Sequence, residues 1–176
     1  MKTMMLMIEP LIPALRRYAC SLTRDPSSAD DLTQDCLVRV ISSWDQRRDE
    51  QHTRSWVFAI LHNLAIDQIR RVRRRGPHVP IDDTDENAFA YASPQEEGLR
   101  HRDVMQALDS LPVEQRAVVL LVSVESMSYA ETARVLNVPV GTVMSRLKRG
   151  RQRLRVALEG ESNEDTVRGS HLRRIK

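Results

Sequence analysis

Apolar residues recur at steps of three and four along most of the 176-residue chain, a spacing that predicts an all-α protein. In the first half, this pattern predicts helices over residues 8–22, 29–44 and 55–75. Asp25-Pro26 and Gly76-Pro77 end the first and third patterns, because proline cannot donate the next helical hydrogen bond. The expected buried faces of the second and third helices consist of Ala29, Leu32, Cys36, Leu37, Val40, Ile41 and Trp44, and of Phe58, Leu61, Ala65, Ile69 and Val72.

The second half begins with two further helices, predicted over about 99–111 and 112–124, and continues as a helix-turn-helix. Ser128 and Glu131 have the spacing of a capping box, in which each side chain accepts a hydrogen bond from the backbone of the other residue. The first helix of the pair is therefore expected to begin near Tyr129. Its core-facing residues are expected to be Ala130, Ala133 and Leu136.

The second helix of the pair is expected from about Val140 to Arg155, after Asn137 and Pro139 interrupt the first. Its predicted buried stripe contains Val143, Leu147, Gly150 and Leu154, and its predicted polar face contains Thr142, Ser145, Lys148, Arg149 and Gln152. The major groove of DNA admits one α-helix and displays a distinct pattern for each base pair, so a basic polar face is typical of DNA recognition. The simpler interpretation is a basic amphipathic helix whose polar face is solvated.

Charge is unevenly distributed along the chain, although the formal net charge is only +3. Arginines cluster at residues 70–75, whereas residues 76–99 contain acids and prolines but no lysine or arginine. This composition predicts a flexible acidic linker between two basic segments, and it favours nucleic-acid binding at two separate sites. The arginine cluster also has a simpler interpretation, because cations stabilise the negative end of a helix dipole.

Other classes of function find no support in the sequence. Cys20 and Cys36 lie in apolar helical patterns without histidines at ligand spacing, so no metal site and no cofactor are expected. No apolar run reaches the roughly 20 residues that span a bilayer, which predicts a cytoplasmic protein without membrane insertion. The motifs of the common hydrolases and of phosphate-binding loops are absent, so no enzyme is expected. The polar tail from Glu159 is expected to be disordered.

The order of these motifs resembles that of a known family. The segment ADDLTQD at 29–35, the helix that ends in the arginine cluster, and SYAETARVLNVPVGTVMSRLKRGRQRLR at 128–155 together resemble the bacterial extracytoplasmic-function (ECF) sigma factors. The resemblance implies two small helical domains, a sigma region 2 bundle over 1–76 and a region 4 helix-turn-helix domain over 99–158. A linker over 77–98 would join them, and a tail over 159–176 would follow.

Two binding surfaces are implied by the resemblance within region 2. The acidic segment matches the part that binds the clamp helices of the polymerase β′ subunit, and the helix after residue 55 matches the reader of the minus-10 promoter element. The implied polymerase-binding residues are Asp30, Asp31, Gln34 and Asp35, and the implied minus-10 residues are Asn63, which would contact an unstacked base, and Arg70, Arg71, Arg73 and Arg74. The loop over 45–54 would form part of the base pocket, whereas Trp56 and Phe58 are expected in the core, the alternative being that they stack on bases.

Region 4 matches the reader of the minus-35 element. The implied DNA-binding residues are Thr142, Met144, Ser145, Arg146, Lys148 and Arg149. Met144 departs from the family, in which a basic residue is frequent at this position. A thioether cannot make the bidentate contact with guanine that a basic side chain can make. The short N-terminus is a second departure, since it would omit the first helix that some relatives have.

The resemblance implies a function in transcription that involves no bond chemistry in this chain. The protein would dock on core RNA polymerase, through the β′ clamp helices and the β flap, and direct initiation at promoter DNA. An anti-sigma factor that covers the polymerase-binding surfaces is an expected partner. The alternative is an autonomous helix-turn-helix regulator with an N-terminal dimerisation or effector domain, which explains the helix-turn-helix equally well but not the acidic segment.

Overall fold

The computed structural model describes the backbone of residues 2–47, 52–75 and 95–170, and the side chains of 3–47, 52–74 and 102–159. Over these ranges every regular element is helical, as the apolar spacing predicts. The α-helices of the described chain are α1 Lys2–Ile8, α2 Ile12–Thr23, α3 Pro26–Ser42, α4 Thr53–Arg75, α5 Gln95–Ser110, α6 Val113–Val119, α7 Tyr129–Leu136 and α8 Val140–Ser170. Short 3-10 turns occupy Glu9–Leu11 and Trp44–Gln46, and α6 continues as a π-helical turn over Leu120–Val124.

The junction between α2 and α3 is built from the residues that end the first apolar pattern. Arg24 closes α2 in the left-handed conformation, with a φ of 61°. Asp25 then caps α3, because its carboxylate accepts hydrogen bonds from the backbone N–H groups of Ser27 at 3.3 Å and Ser28 at 2.9 Å. Pro26 fits the first turn of α3, where its missing N–H would have no intrahelical partner. These local interactions fix the start of the helix that carries the acidic segment.

The helices α2, α3 and α4 pack around an apolar core, and together with α1 they are called the N-terminal bundle below. Tyr18 and Phe58 are among its largest fully buried side chains. Their rings lie 5.6 Å apart at an interplanar angle of 60°, a favourable tilted arrangement for an aromatic pair. Trp56 is only partly buried and packs edge to face against Trp44 at the margin of this core.

A smaller core lies among α6, α7 and α8, which with α5 are called the C-terminal bundle. Val118, Val143 and Leu147 are buried there. The predicted capping box is present at the start of α7, since the Ser128 N–H donates to Glu131 Oε2 at 2.8 Å and the Glu131 N–H donates to Ser128 Oγ at 3.2 Å. The helix pair α7 and α8 therefore forms the expected helix-turn-helix.

The two bundles pack against each other, and the larger core continues from one into the other. Leu121, Met127 and Val135 of the C-terminal bundle belong to the same buried cluster as Phe58. The contact is made mainly by α7, which packs along α4. The sequence analysis predicted both bundles but not this contact between them.

The helix predicted over 8–22 begins only at Ile12, and a further helix, α1, precedes it. A 3-10 turn over Glu9–Leu11 separates α1 from α2, because Pro10 and Pro13 each lack the N–H that a continuous helix would need. Met4 and Ile8 are buried four residues apart. This spacing was the available signal for α1.

Three residues that were predicted to be buried are exposed. Ile41 is 56% exposed and Val72 is 61% exposed. Val72 lies on the last turns of α4, where all side chains from 70 to 74 are exposed. Ala130 is exposed because the buried face of α7 consists of Thr132, Ala133 and Val135, which is rotated from the predicted face.

The boundaries of the predicted linker and tail also differ in the structure. The helix α5 begins at Gln95, so residues 95–98 are helical, and the rest of the predicted linker, 77–94, lies outside the described residues. The helix α8 continues to Ser170, where the sequence predicted a disordered tail from Glu159, and 171–176 lie outside the description. Extending an existing helix requires no new nucleation, and apolar periodicity does not report it.

Candidate nucleic-acid interface

The outer face of α3 carries acidic and apolar side chains together. Asp31, Gln34 and Asp35 are exposed on consecutive turns. Val38 lies one turn further along the same face and is 65% exposed. Val38 was missed by the sequence analysis, although its seven-residue spacing from Asp31 places both on one helix face. The exposed face of α3 thus combines negative charge with an apolar contact.

Asp30 differs from the other residues of the acidic segment because Arg16 of α2 binds its carboxylate. Arg16 donates from Nη2 to Asp30 Oδ2 at 2.9 Å and from Nε to Asp30 Oδ1. Both side chains are largely exposed, so the pair contributes little to stability. It does partly neutralise the Asp30 charge, which leaves Asp31 and Asp35 as the main acids of this face.

A groove of about 310 Å³ lies between α3 and the end of α4. Asp35 and Arg39 line it from α3, and Asp67 and Arg71 line it from α4. The exposed Val72 also lines this groove and so does not belong to the core. The groove connects the acidic face of α3 with the arginine cluster of α4.

The arginine cluster continues a polar stripe along α4. Asn63, Asp67, Arg70 and Arg74 follow one another at helical spacing and are all exposed. Arg71 and Arg73 are exposed on either side of this stripe. The structure therefore brings Asn63 onto the same face as Arg70 and Arg74, with an acidic residue, Asp67, between them.

The exposed face of α8 carries most of its predicted DNA-binding residues. Ser145, Lys148 and Arg149 are exposed, as is Met144 on one flank, where it is 53% exposed. Thr142 and Arg146 are half-buried on the other flank. The opposite face is buried through Val143, Leu147 and Gly150, with Leu154 partly exposed. This arrangement confirms the predicted buried stripe.

The half-buried flank of α8 lies close to α4. Burial lowers the pKa of His62 on α4 to about 4, and the nearby charges of Arg146 on α8 and Arg70 on α4 lower it as well, while Glu114 acts in the opposite direction. Asn63 is the residue after His62. Arg146 of α8 is thus close enough to α4 for its charge to act on His62, although the helix that packs along α4 is α7.

The buried carboxylate of Glu125 joins the two bundles. The Glu125 side chain, which follows the π-helical turn, is only 3% exposed and accepts hydrogen bonds from two arginines of the N-terminal bundle. Arg17 Nη2 of α2 lies 2.8 Å from Glu125 Oε1, and Arg54 Nη2 of α4 lies 3.2 Å from Glu125 Oε2. This cluster could not be predicted from the sequence, because residues more than 70 positions apart leave no spacing pattern.

Comparison with known proteins gives the family. Residues 101–154 match the model of sigma-70 region 4, and residues 8–62 match the model of the sigma2 domain of PhyR. The chain is 32% identical to the ECF RNA polymerase sigma factor EcfG of Rhodopseudomonas palustris over 88% of its own length and 84% of that protein. The chain belongs to the ECF sigma factors. It is also 37% identical to SigE of Mycolicibacterium smegmatis over 84% of its own length, which corresponds to 58% of SigE.

Solved structures resemble this ECF sigma factor in fold as well. The sigma factor RpoE of Bartonella quintana, in complex with the anti-sigma factor NepR, matches with a TM-score of 0.77 and 28% identity. The match covers 90% of this chain and 98% of that one. CnrH, in complex with the cytosolic domain of CnrY, matches with a TM-score of 0.65 at 24% identity, which supports the fold alone.

A membrane-spanning helix and a metal site would each leave a distinct signature in the described parts of this sigma factor. None of the helices described there is long and apolar enough to cross a membrane. Among the same residues, His, Cys, Asp and Glu side chains form no group of three that could hold a metal ion. Cys20 and Cys36 are buried free thiols, and burial raises the pKa of both. The candidate interfaces are therefore the charged helix faces described above.

Proposed function

We propose that this ECF sigma factor binds core RNA polymerase and directs initiation at promoters by reading the minus-10 element through α4 and the minus-35 element through α8. The observation that carries the proposal is that one acidic helix face and two basic helix faces are exposed on a single chain of this family. The sigma factor itself would form and break no covalent bonds. It would position the polymerase and help to hold the strands apart, and it would do so in the cytoplasm.

The acidic face of α3 would bind the β′ clamp helices. Support comes from the exposure of Asp31, Gln34 and Asp35, and from Val38 beside them. A mixed acidic and apolar strip complements a helix that presents basic residues around an apolar contact. Asp30 would contribute less than its neighbours, because Arg16 already binds its carboxylate. The C-terminal bundle would contact the β flap.

Minus-10 recognition would use the exposed stripe of α4. The amide of Asn63 offers both a donor and an acceptor, which suits the pairing edge of a base that has left the stack. Arg70, Arg71, Arg73 and Arg74 would bind the phosphates that flank this base, because guanidinium groups form charge-assisted hydrogen bonds with phosphate oxygens. Arg47, whose guanidinium carbon lies 3.9 Å from the Trp44 ring centroid, belongs to the predicted loop over 45–54 that would complete the base pocket, of which 48–51 lie outside the described residues.

Minus-35 recognition would use α8 in the major groove. Arg149 and Lys148 have the side chains that hydrogen-bond to guanine, and Thr142 and Ser145 would contact bases or phosphates. Arg146 would bind phosphate. Met144 is exposed and could contact a thymine methyl group, so a guanine contact at its position is not expected.

We further propose that an anti-sigma factor controls this protein by covering its polymerase-binding surfaces. The support is the similarity to RpoE of Bartonella quintana, whose structure was solved in complex with the anti-sigma factor NepR. A partner of this kind would compete with polymerase for the acidic face of α3.

The polymerase-binding part of the proposal can be tested by co-purification with core RNA polymerase. Replacing Asp31 and Asp35 together by lysine should abolish stable binding, because both charges then repel a basic partner surface. A matched double charge reversal at Glu114 and Glu159, exposed acids outside α3, should leave binding intact. Equal binding by the two variants would exclude the acidic face of α3. Tight operator binding by the chain without polymerase would instead favour an autonomous regulator.

A further inference from the structure

The contact between the two bundles contains a charged cluster that the apolar core does not require. Glu125 of the C-terminal bundle is buried, whereas the side chains of Arg17 and Arg54 are 51% and 39% exposed. Arg54 makes a further contact, because its Nη2 donates to the main-chain oxygen of Glu125 at 2.7 Å. Arginines from two different helices of one bundle thus converge on a single residue of the other.

This cluster lies beside the core that the two bundles share. Glu125 follows the π-helical turn directly, and its N–H donates to the Leu120 carbonyl at 2.9 Å. Two residues later, Met127 is buried in the core shared by both bundles. The main chain of Glu125 is therefore fixed within its own bundle, and the two arginines reach its carboxylate from the other bundle. A buried carboxylate without these partners would be strongly unfavourable.

The closed arrangement conflicts with the proposed reading of two promoter elements. Sites named for positions 10 and 35 are about 25 base pairs apart, or about 85 Å along B-DNA at about 3.4 Å per base pair. In the structure, α4 packs directly on α7, and Arg146 of α8 lies near His62, the neighbour of Asn63. The two reading helices are thus far too close together to reach both elements at once.

The chain between the bundles is long enough to allow them to separate. Residues 76–94 can span about 65 Å when extended, at about 3.4 Å per residue. The turns of α4 beyond Asn63 add further length. This length lets the bundles separate once the contact between them is broken.

We infer that Glu125 is an intramolecular latch, which holds the C-terminal bundle on the N-terminal bundle through Arg17 and Arg54 and must release them before both promoter elements can be bound. This inference rests on the proposed function for its consequence at promoters, but the latch itself is a property of the free chain. Arg116, which donates to the Ser21 carbonyl at 3.0 Å, and the pair of Arg24 with Asp109 at 3.0 Å support the same closed state from the other side of the contact.

The latch can be tested by single-molecule energy transfer on the full chain. Dyes at Ser42→Cys and Gln152→Cys, both exposed, would report the distance between the bundles, because the native thiols of Cys20 and Cys36 are buried. The chain should give one high-transfer population. Glu125→Gln should raise the ratio of open to closed molecules at least about tenfold, the factor expected when one charge-assisted hydrogen bond is lost. Glu159→Gln, which alters an exposed pair within α8, should leave the ratio unchanged.

A second variant keeps the test valid if Glu125→Gln fails to fold. Arg17→Gln combined with Arg54→Gln changes only partly exposed side chains and should open the chain to at least the same degree, with unchanged helical circular dichroism. An unchanged closed population in both variants would overturn the latch, and so would a chain that is already open without substitution.

The same variants separate the latch from the proposed function. If the closed state competes with polymerase, the apparent affinity for core polymerase should rise in Glu125→Gln by the factor by which the competent fraction increases. Opening without any polymerase binding by either protein would refute the proposed function but leave the latch intact. Polymerase binding with an unaltered closed population in the variants would refute the latch but leave the proposed function intact.

Discussion

The Tyr18 hydroxyl lies 3.0 Å from Nδ1 of His62, which ties α2 to α4 beneath the point where α8 approaches. Burial, together with the charges of Arg146 and Arg70, lowers the pKa of His62 to about 4. The imidazole is therefore neutral in the folded protein at neutral and mildly acidic pH. Its neutral form suits a site that already contains two arginines.

This relationship predicts that stability falls as the pH drops from 7 to 5. His62 stays neutral in the folded chain, whereas in the unfolded chain it takes up a proton below its ordinary pKa of 6.5. The contribution of His62 to the free energy of unfolding is complete above pH 6.5 and is lost as the pH falls toward 4. About 2 kcal/mol of it is lost at pH 5. Urea unfolding at both pH values measures it. His62→Gln should reduce the difference by that amount, and an identical difference in both proteins would contradict the assignment.

A pair of glycines in α8 predicts opposite responses to alanine. A Cβ added at Gly150 would lie 2.8 Å from Cγ2 of the buried Val119, which is a stiff branched side chain. At Gly141 an added Cβ would meet nothing within 4 Å. Gly150→Ala should therefore be less stable than Gly141→Ala by about 1 to 3 kcal/mol, since overpacking outweighs the gain in helix propensity.

Thermal or urea unfolding of the two alanine variants provides the comparison. Adding Val119→Ala to Gly150→Ala should restore part of the stability that is lost through the contact between the new Cβ and Val119, because it removes the Cγ2 atom that clashes. Equal stability of the two single variants would show that α6 and α8 have room to separate.

The capping box predicts a local stability effect on the helix-turn-helix. Ser128→Ala removes the acceptor for the Glu131 N–H and should cost about 1 kcal/mol, whereas Ser128→Gly should cost only a few tenths. Ser42→Ala is a matched control, because that exposed hydroxyl donates to the Arg39 carbonyl at a helix end and caps no N–H. A cost for Ser128→Ala no larger than for the control would contradict the capping role.

The exposed face of α8 predicts different DNA phenotypes for two arginines. Arg149→Ala should cost about 1 to 3 kcal/mol of promoter binding by the holoenzyme and relax the preference at one minus-35 position. Arg153→Ala, an exposed position further along α8, should weaken binding about equally for all sequences. Binding to a library of minus-35 variants distinguishes the two, and an unchanged preference in Arg149→Ala would remove that residue from the base-reading set.

Much of the fold followed from local signals, because local signals are what a sequence records directly. Proline breaks, the Ser128 capping box and apolar spacing placed most helices and the buried stripe of α8. Ile41 and Val72 were wrongly predicted to be buried, because burial depends on the neighbouring helices. Apolar spacing cannot show where a helix extends past those neighbours. The additional turns of α8 were missed because they extend an existing helix without apolar residues at regular spacing.

The candidate site divides in the same way. Asn63 and Arg70 were assigned to one surface by the resemblance to the ECF sigma factors, and both lie on the exposed stripe of α4. The cluster of Glu125 with Arg17 and Arg54 joins three distant segments, and only the tertiary structure brings them together. The packing of one bundle on the other likewise depends on complementary surfaces that no pattern along the chain encodes.

In vitro transcription with purified core RNA polymerase tests the central proposal most directly. Promoters would be identified by mapping transcript starts after overexpression, and each would be paired with a template scrambled at its minus-10 and minus-35 elements. The proposed function predicts specific initiation from the intact promoters with this chain, little from the scrambled templates, and none with the Asp31→Lys, Asp35→Lys double variant. Equal transcription from intact and scrambled templates, or none with the unaltered chain on any mapped promoter, would contradict it.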